Sequence, residues 1–144
     1  MREIAMSSTI NEPNYHFRRV WWGLAIILIT TVAYFSTTPG EPFVSSKNYG
    51  DKLLHLATYL GLMFFLGQRC VRAAHWTLAV YLVLLGAVLE IIQLYVGRSF
   101  ELEDIFANCL GVLFAWIALA HPLARSLLFH IDHWIVNRLI ASRS

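Results

Sequence analysis

Long apolar runs alternate with short polar segments along this chain. Four runs can be interpreted as membrane spans, at residues 20–38, 51–68, 76–96 and 104–121. A helix needs about 20 mainly apolar residues to cross a hydrocarbon core of about 30 Å. The first and third runs meet that length, whereas the second and fourth are shorter and begin with polar residues. Because the apolar positions recur with helical spacing throughout, the pattern predicts four transmembrane helices.

The composition supports a membrane protein. The 144 residues are 58% hydrophobic and 14% charged, with a mean hydropathy of +0.58. Soluble globular domains are roughly 45–50% apolar and about 25% charged. The chain is therefore predicted to be a small all-α integral membrane protein whose principal partner is the lipid bilayer, and no nucleic-acid partner is expected.

The pattern changes after Pro122. Apolar residues still recur at helical spacing, but polar residues such as Asp132 and His133 now lie between them. Such a stretch is typical of an amphipathic helix that lies flat on the membrane surface, and His75 is also predicted to lie at that surface. The predicted organisation is a tail at residues 1–19, a four-helix transmembrane domain at 20–121 and an amphipathic C-terminal helix at 122–144.

Lys and Arg are unevenly divided between the two sides of the predicted bundle. Of the 11, eight lie in the N-terminal segment, the loop after the second span and the C-terminal segment, and three lie on the opposite side. Positive residues are enriched in cytoplasmic segments of membrane proteins. Both termini are therefore predicted to be cytoplasmic, and the loops at 39–50 and 97–103 are predicted to lie outside.

Strongly polar residues gather at the same end of spans two, three and four. They are Asp51, Lys52, His55, Tyr59, Glu90, Gln93, Arg98, Asp104 and Asn108. Spacings of three or four residues place the members of each span on one helix face. Ionisable groups inside a membrane are costly and usually functional. We predict that these residues form one binding site that faces outward, whereas Glu101 and Glu103 are interpreted as loop charges.

The residue types limit what this site can do. Lys52 and Arg98 supply cationic donors suited to a phosphate or carboxylate. His55 and Glu90 are the candidate catalytic residues, because they could exchange protons. The acidic residues and His55 also offer oxygen and nitrogen ligands to a divalent metal, although the leading hypothesis includes no metal and no cofactor.

An unpaired charge at this depth would cost several kcal/mol. We therefore expect one of the two cations to pair with Asp51 or Glu90. His55 should lie within hydrogen-bonding reach of Glu90 or Asp104.

Each polar group also has a structural explanation. The two Asp residues that begin spans two and four can cap those helices. His55 and Tyr59 can pair with each other, and Glu90 and Gln93 can join helices through hydrogen bonds. Structural roles alone would not confine ionisable residues of both signs to one depth on three helices, so a functional site is favoured.

A family resemblance rests on these motifs in order. They are Asp51-Lys52-x-x-His55-x-x-x-Tyr59, Glu90-x-x-Gln93, Arg98 and Asp104-Ile105-x-Ala107-Asn108-x-x-Gly111. Over residues 51–111 the chain resembles VanZ-like membrane proteins, a family named after a teicoplanin-resistance protein. The resemblance implies a protein of the bacterial cytoplasmic (inner) membrane that acts in cell-envelope processes or glycopeptide resistance. It does not imply a particular reaction.

Three functions remain open at this point. The leading hypothesis is an outward pocket in which Lys52 and Arg98 bind an anionic envelope component, such as a lipid or a glycopeptide. The second is a membrane hydrolase or transferase that acts on a lipid-linked phosphate or sugar. The third is a small transporter or accessory subunit with a structural polar cluster. Four spans are too few for alternating access, so the third requires a homo-oligomer or a larger membrane complex.

The predicted orientation can be tested by cysteine labelling in intact cells. Single cysteines are introduced as Ser46→Cys, Ser99→Cys or Ser144→Cys in a chain whose Cys70 and Cys109 are replaced by Ser. An impermeant maleimide should label positions 46 and 99 directly, and position 144 only after permeabilisation. Protection at both loop positions together with labelling at 144 would reverse the orientation.

Overall fold

Five α-helices and one 3₁₀ turn make up the described part of the chain. The structure is a computed structural model that describes residues 15–38 and 50–142. The elements are α1 (Arg18–Thr37), α2 (Gly50–Gly67), a 3₁₀ turn (Arg72–Ala74), α3 (His75–Tyr95), α4 (Leu102–Leu119) and α5 (Pro122–Ala141). No strand occurs in those residues, so the predicted all-α class is confirmed. The start of the predicted N-terminal tail and most of the first predicted loop lie outside the described residues.

Membrane-length helices are present in the structure. Within the described residues, three segments are long and apolar enough to cross a membrane: α1, Arg72–Tyr95 and α4. The second predicted span, α2, is 18 residues long but is not among them. Its hydropathy is lower because its first turns carry Asp51, Lys52 and His55.

Helices α2 and α4 make the most extensive contact of any helix pair in the described residues. A Cβ at Gly111 of α4 would overlap the carbonyl oxygen of Leu56 and lie 2.9 Å from the backbone nitrogen of Leu60. Small residues allow membrane helices to approach this closely. Near the other end of the pair, a Cβ at Gly67 would overlap the side chain of Leu119. The two helices therefore lie side by side over most of their length.

Helix α3 packs against this pair, and α1 lies at the periphery. A Cβ at Gly86 of α3 would lie 2.8 Å from Nδ2 of Asn108 and 3.1 Å from the hydroxyl oxygen of Tyr59. The largest fully buried apolar side chains are Leu62, Met63 and Leu119. Since Ala25 is the one buried residue of α1, that helix has most of its surface available to lipid.

Helix directions alternate, so α1 and α3 end where α2 and α4 begin. At this end the side-chain amide of Gln93 donates a hydrogen bond to the carbonyl oxygen of Ser36, at 3.0 Å. The ammonium of Lys52 lies 3.3 Å from a carboxylate oxygen of Asp104. We call this the polar end of the bundle. The alternation is the arrangement that the sequence predicted.

The opposite end is tied together by Asp132 of α5, whose side chain is 0% exposed. Its carboxylate accepts hydrogen bonds from the backbone N–H of His16 at 2.7 Å, the N–H of Phe17 at 3.1 Å and the indole of Trp21 at 2.7 Å. The start of a helix favours a negative group, because its first N–H groups are unpaired and its dipole is positive there. Burial raises the pKa of Asp132, but the hydrogen bonds outweigh burial and hold that pKa below its usual range.

Two residues that the sequence assigned to the membrane surface are buried within the protein. Asp132 was expected among the solvated positions of an amphipathic helix, yet it is buried against the start of α1. His75 is 2% exposed, and its Nε2 lies 2.9 Å from the carbonyl oxygen of Gly67. Both residues can be buried because partners from other elements satisfy them. Residues 122–141 are nevertheless helical, and Leu123 and Ile140 remain exposed.

The contact at Gly111 generates a stability prediction. Gly111→Ala should destabilise the protein by about 1–3 kcal/mol, because its Cβ meets the backbone of α2 rather than a movable side chain. Gly61→Ala is the matched control, since nothing lies within 4 Å of a Cβ at that helical position. Thermal denaturation in detergent, followed by size-exclusion chromatography, measures both. Equal melting temperatures for the two variants would contradict the close α2–α4 contact.

Candidate functional site

Lys52 is held between two carboxylates at the polar end. Its ammonium lies 2.5 Å from Oε2 of Glu101 and 3.3 Å from Oδ1 of Asp104. The expected pairing of a cation with Asp51 or Glu90 is not present among the described residues, because Glu101 takes that place. The hydrogen bond from Lys52 also holds the pKa of Glu101 below its usual range.

His55 lies between Asn108 and Asp104. Its Nδ1 is 3.1 Å from Oδ1 of Asn108, and its Nε2 is 3.7 Å from Oδ2 of Asp104. An amide oxygen only accepts hydrogen bonds, so this arrangement places a proton on Nδ1 and turns Nε2 toward the carboxylate. The predicted approach of His55 to Asp104 is thus present as a close contact, although 3.7 Å is too long for a hydrogen bond.

Glu90 points into the protein rather than toward lipid. The residue is 1% exposed, and its Oε1 accepts a hydrogen bond from the backbone N–H of Glu101 at 2.8 Å. Glu101 immediately precedes α4, where backbone N–H groups lack helical partners. Glu90 therefore joins the end of α3 to the start of α4, as the structural explanation of this residue proposed, and it does so at the polar end.

Two predicted site residues turn toward α1 instead. Gln93 donates to the carbonyl oxygen of Ser36, and Nη1 of Arg98 lies 3.5 Å from the carbonyl oxygen of Phe35. The last carbonyl groups of a helix lack partners within it, which explains this attraction. Gly97 has a φ of +83°, a conformation that favours glycine, and it turns the chain after α3.

Tyr59 lies one turn beyond His55 along α2. It is 2% exposed, and its hydroxyl has no hydrogen-bond partner among the described residues. The proposed pairing of Tyr59 with His55 is therefore wrong, because the imidazole bonds Asn108 instead. A buried hydroxyl without a partner is unusual in a protein interior.

The groups that meet form what we call the polar-end cluster. Its members are Asp51, Lys52, His55, Glu90, Glu101, Asp104 and Asn108. Ligand atoms of Asp51, His55 and Asp104 all lie within 4.8 Å of one another. Both Asp residues are buried, at 6% and 3% exposure. Within the described residues the cluster thus contains four carboxylates and one lysine.

Sequence reasoning missed Glu101 and Asp132. Glu101 lies directly before an apolar run and three residues before Asp104, so its position at the start of α4 offered a weak signal. Asp132 gave no such signal, because its partners lie 111 to 116 residues away along the chain.

The fold and the cluster define a helical membrane protein with a concentrated polar site at one end of the bundle. A family model described as VanZ/LLP1 matches residues 4–125. This match covers α1 to α4 and the start of α5, so the chain belongs to the VanZ/LLP1 family and the resemblance is confirmed. Neither the comparison with curated proteins nor that with solved structures gave a match.

Proposed function

We propose that this VanZ-like protein crosses the bacterial cytoplasmic membrane four times and presents its polar end outside. Helix α2 lies beside α4, which is itself long and apolar enough to span. At 1.5 Å per residue, the 18 residues of α2 extend about 27 Å, close to the hydrocarbon thickness. The excess of Lys and Arg near both termini supports a cytoplasmic location for those termini.

The proposed function of the polar end is to bind an anionic envelope component. The observation that carries this proposal is that Arg98 has no carboxylate partner among the described residues. Arg98 is partly buried, and among the described residues its guanidinium makes one long hydrogen bond, to the carbonyl oxygen of Phe35. No carboxylate of the described residues lies within 4.0 Å of it. A guanidinium offers a planar set of donors that fits phosphate or carboxylate.

Lys52 can contribute once Glu101 moves aside. The side chain of Glu101 is 29% exposed, and that of Lys52 is 23% exposed. Ion pairs near the surface contribute about 1 kcal/mol or less. A phosphate that arrives from the aqueous side can therefore compete with the Glu101 carboxylate for the ammonium. Capture of an envelope lipid or a glycopeptide at this face is the proposed basis of a resistance role.

A second candidate function is hydrolysis or group transfer on a lipid-linked phosphate. The observation that favours it is the Nε2 of His55, which faces Asp104 at 3.7 Å and accepts no hydrogen bond from the described residues. An imidazole nitrogen that faces a carboxylate is placed to exchange a proton with a bound substrate. Release of inorganic phosphate or of a headgroup from the bound lipid would identify an enzyme, whereas binding without turnover would identify a binding protein.

Anion binding can be measured with short-chain phosphatidic acid and protein held in phosphatidylcholine nanodiscs. Arg98→Gln should weaken binding roughly tenfold or more, since a charge-assisted hydrogen bond is worth about 1.5–3 kcal/mol. Arg72→Gln is the matched control, because Arg72 lies at the opposite end of the bundle. Short-chain phosphatidylcholine should bind much more weakly than phosphatidic acid.

The same variants can be compared in cells. Arg98→Gln should lose any protein-dependent change in glycopeptide susceptibility while its membrane level stays near that of the parent. Glu103→Gln, an exposed change in the first turn of α4, should behave like the parent. Equal phosphatidic acid affinity for Arg98→Gln and Arg72→Gln would contradict anion binding at the polar end.

A further inference from the structure

We propose that the polar-end cluster binds a divalent metal ion between Asp51, His55 and Asp104. Each residue offers one ligand atom, and these atoms lie within 4.8 Å of one another. Two carboxylates and one imidazole suit Zn²⁺ or Mn²⁺ better than Mg²⁺ or Ca²⁺, because imidazole is a borderline nitrogen ligand. The sequence offered these residues as possible metal ligands without a metal in the leading hypothesis, and the proximity of their ligand atoms now favours an ion.

The orientation of His55 favours metal binding. Its Nδ1 bonds Oδ1 of Asn108, which leaves Nε2 facing Asp104. Metal-binding histidines commonly donate their other ring N–H to an oxygen acceptor, which fixes the tautomer and the ring orientation. Asn108 is therefore a positioning residue for the ligand nitrogen. Nε2 and the Asp104 oxygen, 3.7 Å apart, can both reach an ion that lies between them.

Charge provides a second argument. Asp51 and Asp104 are nearly excluded from solvent, and Lys52 already shares its charge between Asp104 and Glu101. Among the described residues, Asp51 forms no ion pair. Buried carboxylates are costly unless they are paired or bind metal. A divalent cation would neutralise both Asp residues at once.

The buried hydroxyl of Tyr59 lies on the Gly86 side of Asn108. It has no hydrogen-bond partner among the described residues, and it lies beside the side-chain amide of Asn108 next to Gly86. Asn108 is the residue that orients His55.

A second group of possible ligands lies at the opposite end of the bundle and does not fit a metal as well. It consists of His16, Asp132 and His133. Each oxygen of Asp132 already accepts an N–H hydrogen bond at 2.7 Å, from the backbone of His16 and from the indole of Trp21. This carboxylate has a complete structural role at the start of α1. A substitution in this second group, His133→Gln, therefore serves as a control for Zn²⁺ binding at the polar-end cluster.

Zinc binding to the full-length protein tests the inference directly. The protein is purified in detergent without a polyhistidine tag and titrated with Zn²⁺ in a calorimeter. One site per chain is expected. Asp51→Asn, Asp104→Asn and His55→Gln should each weaken Zn²⁺ binding at least tenfold, and Asn108→Ala should weaken it roughly 10–100-fold. Glu103→Gln and His133→Gln should leave the affinity unchanged.

The Zn²⁺ affinity of Lys52→Met distinguishes a metal site from a purely structural cluster. The ammonium competes with the metal for Asp104, at 3.3 Å from its Oδ1. Its removal should therefore tighten Zn²⁺ binding, while loss of a ligand weakens it. Circular dichroism and size-exclusion chromatography identify any variant that fails to fold. Comparison of Co²⁺ absorption between the parent and His55→Gln then reports whether His55 is a ligand.

Several outcomes would overturn the site. The first is a parent protein that does not bind Zn²⁺ stoichiometrically. The second is a loss of Zn²⁺ affinity in Glu103→Gln as large as that in the ligand variants. The third is Zn²⁺ binding that disappears in His133→Gln but persists in Asp104→Asn. The titration contains no anionic lipid, so it is independent of the anion-binding proposal. A parent that binds phosphatidic acid but not Zn²⁺ would disprove only the metal site.

Discussion

The close contact between α2 and α4 at Gly111 is the constraint on which the rest of the structure depends. Because Gly111 has no side chain, its backbone lies against that of Leu56 in α2. Toward the polar end, this register brings His55 opposite Asn108 and Lys52 opposite Asp104. A larger residue at 111 would move the two rows of polar side chains apart. One glycine therefore determines both the packing of the helix pair and the geometry of the site.

Buried carboxylates lie near helix starts at both ends of the bundle. Asp51 and Asp104 lie in the first turns of α2 and α4, and Asp132 accepts hydrogen bonds from the start of α1. A helix N-terminus stabilises negative charge through its dipole and its unpaired N–H groups. At the α1 end these donors satisfy the carboxylate. At the polar end the two Asp residues also adjoin Lys52 and His55, and there the remaining negative charge favours the proposed metal ion.

Periodicity predicted the helices and their alternating directions, because long apolar runs leave few other choices in a membrane. The same reasoning predicted that His55, Asp104 and Asn108 would meet, since their spacing puts them on fixed helix faces. Pairings between residues far apart in the chain were harder to predict from the sequence. The carboxylate of Glu101 pairs with Lys52 of α2, and that of Asp132 accepts hydrogen bonds from the start of α1. No local sequence pattern encodes these pairings. Gln93 and Arg98 were placed at the right end, but their contacts with α1 depend on how closely that helix approaches α3.

The central claim is that α2 and α4 bring His55 and Asn108 together in the membrane. Paired cysteines at positions 55 and 108, in a chain without Cys70 and Cys109, test it most directly in native membranes with a short thiol-reactive cross-linker. Mass spectrometry should find the tryptic peptides 53–69 and 99–125 linked. The control pair at positions 54 and 108 should link poorly, because Leu54 is 46% exposed on another face of α2. Equal linking of the two pairs, or none for the first, would contradict the account.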